Sequence, residues 1–246
     1  MGELFAVVSG KGGTGKTSVC AGIATALAAQ GKRVLCVDCD VGLRNLDISL
    51  GMSDCGALSF LDVSEGGYPL ERAAKHPIYS SLAFLTAPMN RAAEKINTEK
   101  FADFLRETRS SFDYIFLDAP AGLDGGFRLV SRAADKFLLV TGAGPAAVRD
   151  AVRVGDILEL MGKTQIRLVV NRVEKEILKT VRLTIDDVMD AAGLPLMGIV
   201  PEDPNVTLAA AFGQPLLGYA KRSDAAKAYR RIAKRVDGIR EPIPFR

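Results

Sequence analysis

The sequence predicts an α/β fold in which a doubly wound, mostly parallel β-sheet carries helices on both faces. Short and nearly unbroken apolar runs recur along the 246 residues, and segments with a helical spacing of apolar residues lie between them. Strands that are buried on both faces have this appearance, and their alternation with helices favours a parallel sheet. Loop-sized Gly and Pro clusters separate the elements.

Six apolar runs are the predicted strands: residues 4–8, 33–37, 114–117, 136–140, 166–170 and 194–200. Two of the intervening helices are recognised by apolar residues that share one helical face: Val19, Ile23 and Leu27 in the first, and Phe101, Phe104 and Leu105 in the second. Because ligands of such sheets bind beyond the carboxyl ends of the strands, the residues that follow each run are the candidates for chemistry.

No internal repeat, low-complexity tract or interdomain linker interrupts the chain, so we expect a single domain over residues 1–236 and a short tail over 237–246. No run approaches the roughly 18 apolar residues of a transmembrane helix, and no basic segment precedes the first strand. The sequence therefore predicts a cytoplasmic protein without a secretory signal.

A glycine-rich loop directly follows the first predicted strand and leads into a helix. Its sequence GKGGTGKT at residues 10–17 satisfies the phosphate-binding pattern G-x-x-x-x-G-K-[ST]. Backbone N–H groups of such a loop face the phosphates, Lys16 neutralises their oxygens, and the Thr17 hydroxyl ligates Mg²⁺ directly. The predicted nucleotide-binding residues here are Gly10, Lys11, Gly12, Gly13, Thr14, Gly15, Lys16, Thr17 and Ser18.

Carboxylates follow two other predicted strands at the edge where the phosphates would lie. Asp38 and Asp40 close the second run, and Asp118 caps the third. Because Mg²⁺ keeps several waters, Asp38 and Asp118 are predicted to hold it through water, and Asp40 to orient the attacking water. Gly122 is predicted to offer its N–H to the γ-phosphate. We expect catalysis by phosphate positioning and electrostatics alone, and the predicted catalytic residues are therefore Lys11, Lys16 and Asp40.

Several motifs together resemble the MinD/ParA family of deviant Walker A ATPases. They are the K-G-G-x-G-K-T pattern that begins at Lys11 and the segments 40–47, 118–122, 148–150 and 200–203. The resemblance spans about residues 2–236. It implies ATP and Mg²⁺ as cofactors, and a role for Lys11 at the nucleotide of a partner subunit. It also implies that Asn171 and Pro201 contact adenine, with Arg172 and Asp203 beside them. The N-K-x-D signature of GTPases is absent after Asn171.

The segment 40–47 resembles the MinD branch of this family in particular. That resemblance implies a monomer with ADP, a homodimer with ATP, attachment of the dimer to the inner face of the cell membrane, and a role in placing the division septum. A MinE-like activator of hydrolysis and a MinC-like division inhibitor are the implied protein partners.

Two features depart from the family pattern. Gly144 replaces an expected glutamate that would contact ribose, and Pro242 and Pro244 prevent the regular C-terminal amphipathic helix of the family. The last 26 residues nevertheless hold nine Lys and Arg against three acids. We therefore favour an anionic membrane over DNA as the surface contacted near the C-terminus, with Ile239, Ile243 and Phe245 inserting shallowly.

Other functions remain open at this point. A related ATPase that positions chromosomes, plasmids or flagella would use DNA or a protein anchor in place of lipid. An iron-protein-like reductase or an iron–sulfur carrier would need cysteines later in the chain, and none lies beyond Cys55. The single histidine, His76, precedes Pro77 and is predicted to occupy a surface loop with a structural role.

Overall fold

The fold is described by a computed structural model in which residues 1–89 and 91–243 are placed. Its eight strands form one sheet: β1 (Glu3–Val8), β2 (Val34–Asp38), β3 (Ala74–Lys75), β4 (Leu82–Leu85), β5 (Tyr114–Asp118), β6 (Lys136–Thr141), β7 (Gln165–Val173) and β8 (Leu196–Pro201). The strand order is β3-β4-β2-β5-β1-β6-β7-β8, and only the β3–β4 pair is antiparallel. The predicted fold class, a mostly parallel doubly wound sheet, is confirmed.

The eleven α-helices of the described residues lie between the strands or after the last one. They are α1 (Lys16–Ala28), α2 (Leu46–Leu50), α3 (Phe60–Ser64), α4 (Thr98–Thr108), α5 (Gly125–Ala133), α6 (Pro145–Leu160), α7 (Lys175–Val181), α8 (Ile185–Ala192), α9 (Pro204–Ala211), α10 (Leu216–Tyr219) and α11 (Asp224–Val236).

Alternate side chains of the central strands enter two separate hydrophobic cores, one on each face of the sheet. In β1, Leu4, Ala6 and Val8 face the core that packs under α4, α5, α6 and α8. Phe5 and Val7 face the core that packs under α1, α10 and α11. Burial on both faces explains why the strands appear in the sequence as continuous apolar runs.

Two glycines allow α11 to pack closely on its neighbours. A Cβ on Gly22 of α1 would lie 2.2 Å from the Tyr229 ring, and a Cβ on Gly198 of β8 would lie 2.4 Å from Ile232. Because Tyr229 and Ile232 contact glycine backbone where any other residue would place a side chain, α11 packs closely against both α1 and the sheet. This brings the end of α11 to the edge opposite the glycine-rich loop.

Residues 237–243 are tied to the body of the fold. Asp237 accepts hydrogen bonds from Lys32 Nζ at 2.7 Å and from the Tyr114 hydroxyl at 2.6 Å. Ile243 packs against a hydrophobic core, whereas Ile239 is exposed. Phe245 and Pro244 lie outside the described residues. Within the described ranges, no helix combines the length and apolarity needed to cross a bilayer.

His76 is buried, so its predicted surface position is wrong. Its Nε2 lies 2.8 Å from the Leu50 carbonyl oxygen, and its Nδ1 accepts hydrogen bonds from the N–H groups of Ile78 and Tyr79 at 3.0 and 3.1 Å. The imidazole therefore joins the end of α2 to the loop before β4. This contact compensates for the burial of a polar ring.

Candidate functional site

The glycine-rich loop joins the end of β1 to the start of α1. Gly13 and Gly15 both adopt φ +80°, a left-handed conformation that residues with a Cβ rarely adopt. Gly15 is also sterically required, because a Cβ there would lie 2.3 Å from Asn171 Nδ2. The loop backbone thus turns tightly and directs the N-terminus of α1 towards the edge of the sheet, the arrangement that favours anions.

Lys16, the first residue of α1, is ion-paired inside the protein. Its Nζ lies 2.9 Å from Asp118 Oδ1, and the two side chains are only 7% and 1% exposed. Burial acts to lower the pKa of Lys16, but the charge and hydrogen bond of Asp118 outweigh it, so the pKa of Lys16 is raised. The lysine therefore carries its positive charge at the phosphate end of the loop.

Asp38 and Asp118 end adjacent strands and are paired in the register of β2 and β5. Burial, followed by the charge of Asp118, raises the pKa of Asp38 to about 6. Three backbone N–H groups counter this effect, because Asp38 Oδ1 accepts from Asp40 at 2.9 Å and Oδ2 accepts from Asn45 and Leu46 at 3.2 Å each. Asp38 thereby also fixes the segment that leads into α2.

Asp40 follows at the same edge and is only partly buried. Burial raises its pKa, while the nearby Lys16 charge opposes the shift. The structure thus brings Lys16, Asp38, Asp40 and Asp118 together, as the sequence predicted. Thr17 lies in the first turn of α1, beside Lys16.

The donor set fits a magnesium ion that is held mainly by water and phosphate. The oxygen donors are the Thr17 hydroxyl and the carboxylates of Asp38 and Asp118, which are hard ligands of the kind Mg²⁺ prefers. Among residues 1–89 and 91–243, no group of three or more His, Cys, Asp and Glu side chains forms a metal cluster.

One loop glycine and one arginine with positive φ lie in the two segments that flank the site. Gly122 adopts φ +88° with open space around the position of a Cβ, so the backbone after β5 turns sharply beside the phosphate loop. Arg44, between Asp40 and α2, adopts φ +24°, a strained conformation for a residue with a side chain.

The end of β7 holds the glycine-rich loop from the other side. Asn171 is buried and donates from Nδ2 to the Thr14 carbonyl oxygen at 2.7 Å. Arg172, at φ +56°, donates from Nη1 to the Gly13 carbonyl oxygen at 3.2 Å. Its Nε also donates to Glu202 Oε2 at 2.7 Å. Glu202 was not among the predicted site residues, although it stands beside Pro201.

A cavity of about 140 Å³ opens beside these residues. The predicted base-binding residues Asn171, Arg172, Pro201 and Asp203 all line it. The Asp203 carboxylate, however, is already engaged: Oδ1 accepts from the Asn205 N–H at 2.9 Å and Oδ2 from the Ala225 N–H at 3.0 Å. Asp203 therefore positions the starts of α9 and α11 in the cavity wall.

Lys11 is not part of the buried cluster. Its side chain is exposed, and it forms no ion pair with the residues that the structure describes. Gly144 caps α6, and a Cβ there would meet nothing within 4 Å. The space for the expected glutamate is therefore open, but no acidic residue lies in the first turn of α6. Asp150 of α6 is a further neighbour of the loop, since a Cβ on Gly10 would lie 2.7 Å from it.

The profile of the CobQ/CobB/MinD/ParA nucleotide-binding domain matches residues 5–216. The septum site-determining protein MinD of Synechocystis sp. is 36% identical over 247 residues, which cover 100% of this chain and 92% of that protein.

Two solved structures are similar over nearly their full length. A MinC:MinD cell division complex of Aquifex aeolicus contains a chain that superposes with a TM-score of 0.90 at 37% identity, with 98% of both chains covered. The septum site-determining protein MinD of Pyrococcus horikoshii, complexed with Mg-ADP, superposes with a TM-score of 0.84 at 29% identity, with 96% of both chains covered.

Proposed function

This chain belongs to the CobQ/CobB/MinD/ParA nucleotide-binding family, and we propose that it is an ATP-hydrolysing dimerisation switch of the MinD kind that controls placement of the division septum. Similarity to MinD proteins over the whole chain supports the septum role. The buried Lys16–Asp118 pair at the end of the glycine-rich loop is the observation that carries the ATPase assignment. Residues 1–236 form the ATPase domain in this proposal, and 237–246 form its tail.

The chain holds the nucleotide with residues from three strand ends. The loop from Gly10 to Gly15 surrounds the β-phosphate with N–H groups, Lys16 neutralises the β- and γ-phosphate oxygens, and Ser18 continues the first turn of α1. Asn171, Arg172 and Pro201 receive the adenine in the 140 Å³ cavity. Because Asn171 and Arg172 also bond to the Thr14 and Gly13 carbonyl oxygens, base and phosphate recognition are mechanically linked.

Hydrolysis proceeds by attack of water on the γ-phosphorus. A new P–O bond forms to the water oxygen, the bond to the β–γ bridging oxygen breaks, and ADP and phosphate result. Asp40 orients the water, and Lys16 stabilises the charge that develops on the leaving oxygen. Thr17 would hold Mg²⁺ with its hydroxyl, supported by Asp38 and Asp118, and the bound ion would neutralise phosphate charge. Loss of the γ-phosphate removes the acceptor of the Gly122 N–H, so the segment at Gly122 responds to hydrolysis.

Dimerisation completes the site. The exposed side chain of Lys11 is free to reach the nucleotide of a second subunit, where it acts as an arginine finger does in other phosphoryl-transfer enzymes. ATP therefore favours the homodimer, and hydrolysis releases it.

The partners follow from the same assignment. A MinC-like partner, which we propose to be a division inhibitor, is supported by the Aquifex complex. We also propose a MinE-like protein that stimulates hydrolysis. The protein works in the cytoplasm, and its ATP-bound dimer associates peripherally with the inner face of the cell membrane.

Sedimentation velocity of the purified protein with Mg-ATP and with Mg-ADP tests the switch. We expect a dimer with ATP, a monomer with ADP, and release of phosphate at a rate that falls when the dimer is diluted. Septum position in cells depleted of the protein tests the role. Misplaced septa support the proposal, whereas normal septa with missegregated chromosomes or misplaced flagella would assign the chain to another positioning ATPase.

A further inference from the structure

Two segments distant in sequence form a surface without carboxylates. Residues 74–81 and 204–223 contain no Asp and no Glu, although acids make up 29 of the 246 residues. The second segment comprises α9, α10 and the turn before α11. Cations are present in both segments, and the nearest acid after the second, Asp224, is paired with Lys227 at 2.9 Å.

The two segments touch each other. Ile78 Cδ1 lies 3.8 Å from the position of a Cβ on Gly218 in α10. The rings of Phe212 and Tyr219 are stacked with centroids 5.6 Å apart, which places the end of α9 against α10. Arg230 of α11 donates to the Lys221 carbonyl oxygen at 2.5 Å. Burial raises the pKa of Tyr79, and the nearby charge of Arg230 opposes this shift.

Large apolar side chains project from this surface. Phe212 is 64% exposed, Ile78 62% and Leu208 44%. Leu208 and Phe212 are four residues apart and so lie on one side of α9 and its C-terminal turn. Exposed apolar side chains are common singly, but a group of them rimmed by one sign of charge is typical of an interaction site.

The cations beside this group have no carboxylate partner. Within the described ranges, none of Lys221, Arg222 and Arg230 is within ion-pair distance of an acid. We call the surface that these three cations form together with Ile78, Leu208 and Phe212 the apolar–basic face.

We propose that the apolar–basic face rests on an anionic lipid bilayer, with Ile78, Leu208 and Phe212 entering the headgroup region. Projecting apolar side chains with adjacent Lys and Arg match a surface that is anionic outside and apolar beneath. DNA offers the anionic phosphates but no apolar layer for the ends of Ile78, Leu208 and Phe212. This inference rests on the proposed membrane-associated switch and places its contact on α9–α11 in addition to the proline-bearing tail.

The contact of one subunit is small, so a dimer would bind much more tightly than a monomer. Two apolar–basic faces on one membrane act at a high effective concentration, which raises avidity without new contacts. Membrane binding would thus follow the nucleotide state through dimerisation.

Co-sedimentation with vesicles tests the proposal. The full chain with Mg-ATP is mixed with vesicles of equal parts phosphatidylglycerol and phosphatidylcholine, or of phosphatidylcholine alone. The apolar variant is Ile78→Ser with Phe212→Ser. Its matched control is Leu160→Ser with Met161→Ser, which replaces two exposed residues at the end of α6, on the opposite face of the sheet. The charge variant is Lys221→Glu with Arg222→Glu, and its matched control is Lys95→Glu with Arg128→Glu.

We expect the wild type and both controls to pellet with the anionic vesicles and not with phosphatidylcholine alone. The partition coefficient of each face variant onto anionic vesicles should fall by about tenfold or more. Equal pelleting of face variants and wild type, or no pelleting of the wild type, overturns the proposal. Binding of labelled duplex DNA that is lost in the charge variant, without vesicle binding, would also overturn it. Sedimentation velocity of the same samples reports ATP-dependent dimerisation separately, so failure of the switch is distinguished from failure of the face.

Discussion

Lys16 Nζ and Asp118 Oδ1 are 2.9 Å apart in a site from which solvent is almost excluded. The loop lysine is thus held by the carboxylate that ends β5, at the edge where phosphate would bind. Since Asp118 lies beside Asp38 in the β2–β5 register, the lysine also offsets part of the repulsion between two buried carboxylates. One ion pair therefore serves both the stability of the fold and the position of the phosphate-binding charge.

Removing only the lysine should destabilise the protein. Lys16→Met leaves Asp118 buried and unpaired, and we expect a loss of about 3–5 kcal/mol in the free energy of unfolding. Lys16→Met with Asp118→Asn should recover more than half of that loss, because the unpaired charge is removed. Neither variant should bind ATP. Urea unfolding and titration with a fluorescent ATP analogue measure the two effects. A single variant as stable as the wild type would contradict the structural role of the pair.

Lys11 should matter for the dimer and not for the monomer. Because its side chain is exposed, Lys11→Ala should change the free energy of unfolding by less than about 0.5 kcal/mol. Monomeric ATP affinity should stay within about threefold of the wild type, while the ATP-dependent dimer is lost. Lys95→Ala is the matched control for removal of an exposed lysine. Normal dimers of Lys11→Ala in sedimentation velocity would show that this lysine does not act across the interface.

Six of the eight strands were predicted, from apolar runs of four to seven residues that in some cases contain one basic residue or glycine. The strand β4 was not predicted, although its apolar run of four residues is as long as that of β5, because no candidate catalytic or binding residue follows it and draws attention to it. The two-residue β3 has no pattern of its own and forms only by pairing with β4. The strand β7 extends to Val173, three residues beyond its predicted end, because Val173 pairs with Pro201 after an irregularity in the register at Asn171 and Arg172, whose side chains reach the loop.

The phosphate end of the site was predictable because its chemistry is local to a motif or to a strand end. The base end was less so, since its contacts join residues far apart. Glu202 is recognisable only once Arg172 is seen against it. The buried ring of His76 likewise has its hydrogen-bond partner, the Leu50 carbonyl, 26 residues away in the sequence. No periodicity in the sequence indicates such a contact.

The pair of Arg172 and Glu202 should tune nucleotide affinity with little effect on stability. The side chains of Arg172 and Glu202 are 59% and 37% exposed, so the pair itself stabilises the fold by no more than about 1 kcal/mol. Loss of the Arg172 bond to the Gly13 carbonyl should weaken ATP binding by about threefold to tenfold.

A double-mutant cycle measures this coupling. Arg172→Ala and Glu202→Ala should each weaken ATP binding, and the double variant should be little worse than Arg172→Ala alone, because both changes act through one guanidinium. Arg132→Ala, which removes an exposed arginine paired with Glu99, is the control. Strictly additive effects would show that Glu202 does not orient Arg172.

His76 should make the protein less stable in mild acid. Its Nδ1 accepts two backbone N–H bonds, and so the folded state holds the ring neutral. Burial lowers its pKa from 6.5, although the bond to the Leu50 carbonyl opposes the shift. The unfolded chain therefore takes up the proton first as the pH falls. The His76 contribution to stability is complete above about pH 6.5 and is lost progressively below it.

Urea unfolding between pH 8 and pH 5 of the wild type and of His76→Gln isolates this effect. The variant should lose roughly 1–2 kcal/mol at pH 8 through broken hydrogen bonds, and the difference between the two proteins should shrink as the pH falls. Asp38 acts in the opposite direction, since its folded pKa of about 6 lies above its usual value and its contribution is lost as the pH rises through that range. Because both proteins contain Asp38, its contribution cancels in the comparison. A constant difference across the pH range would mean that His76 does not titrate on unfolding.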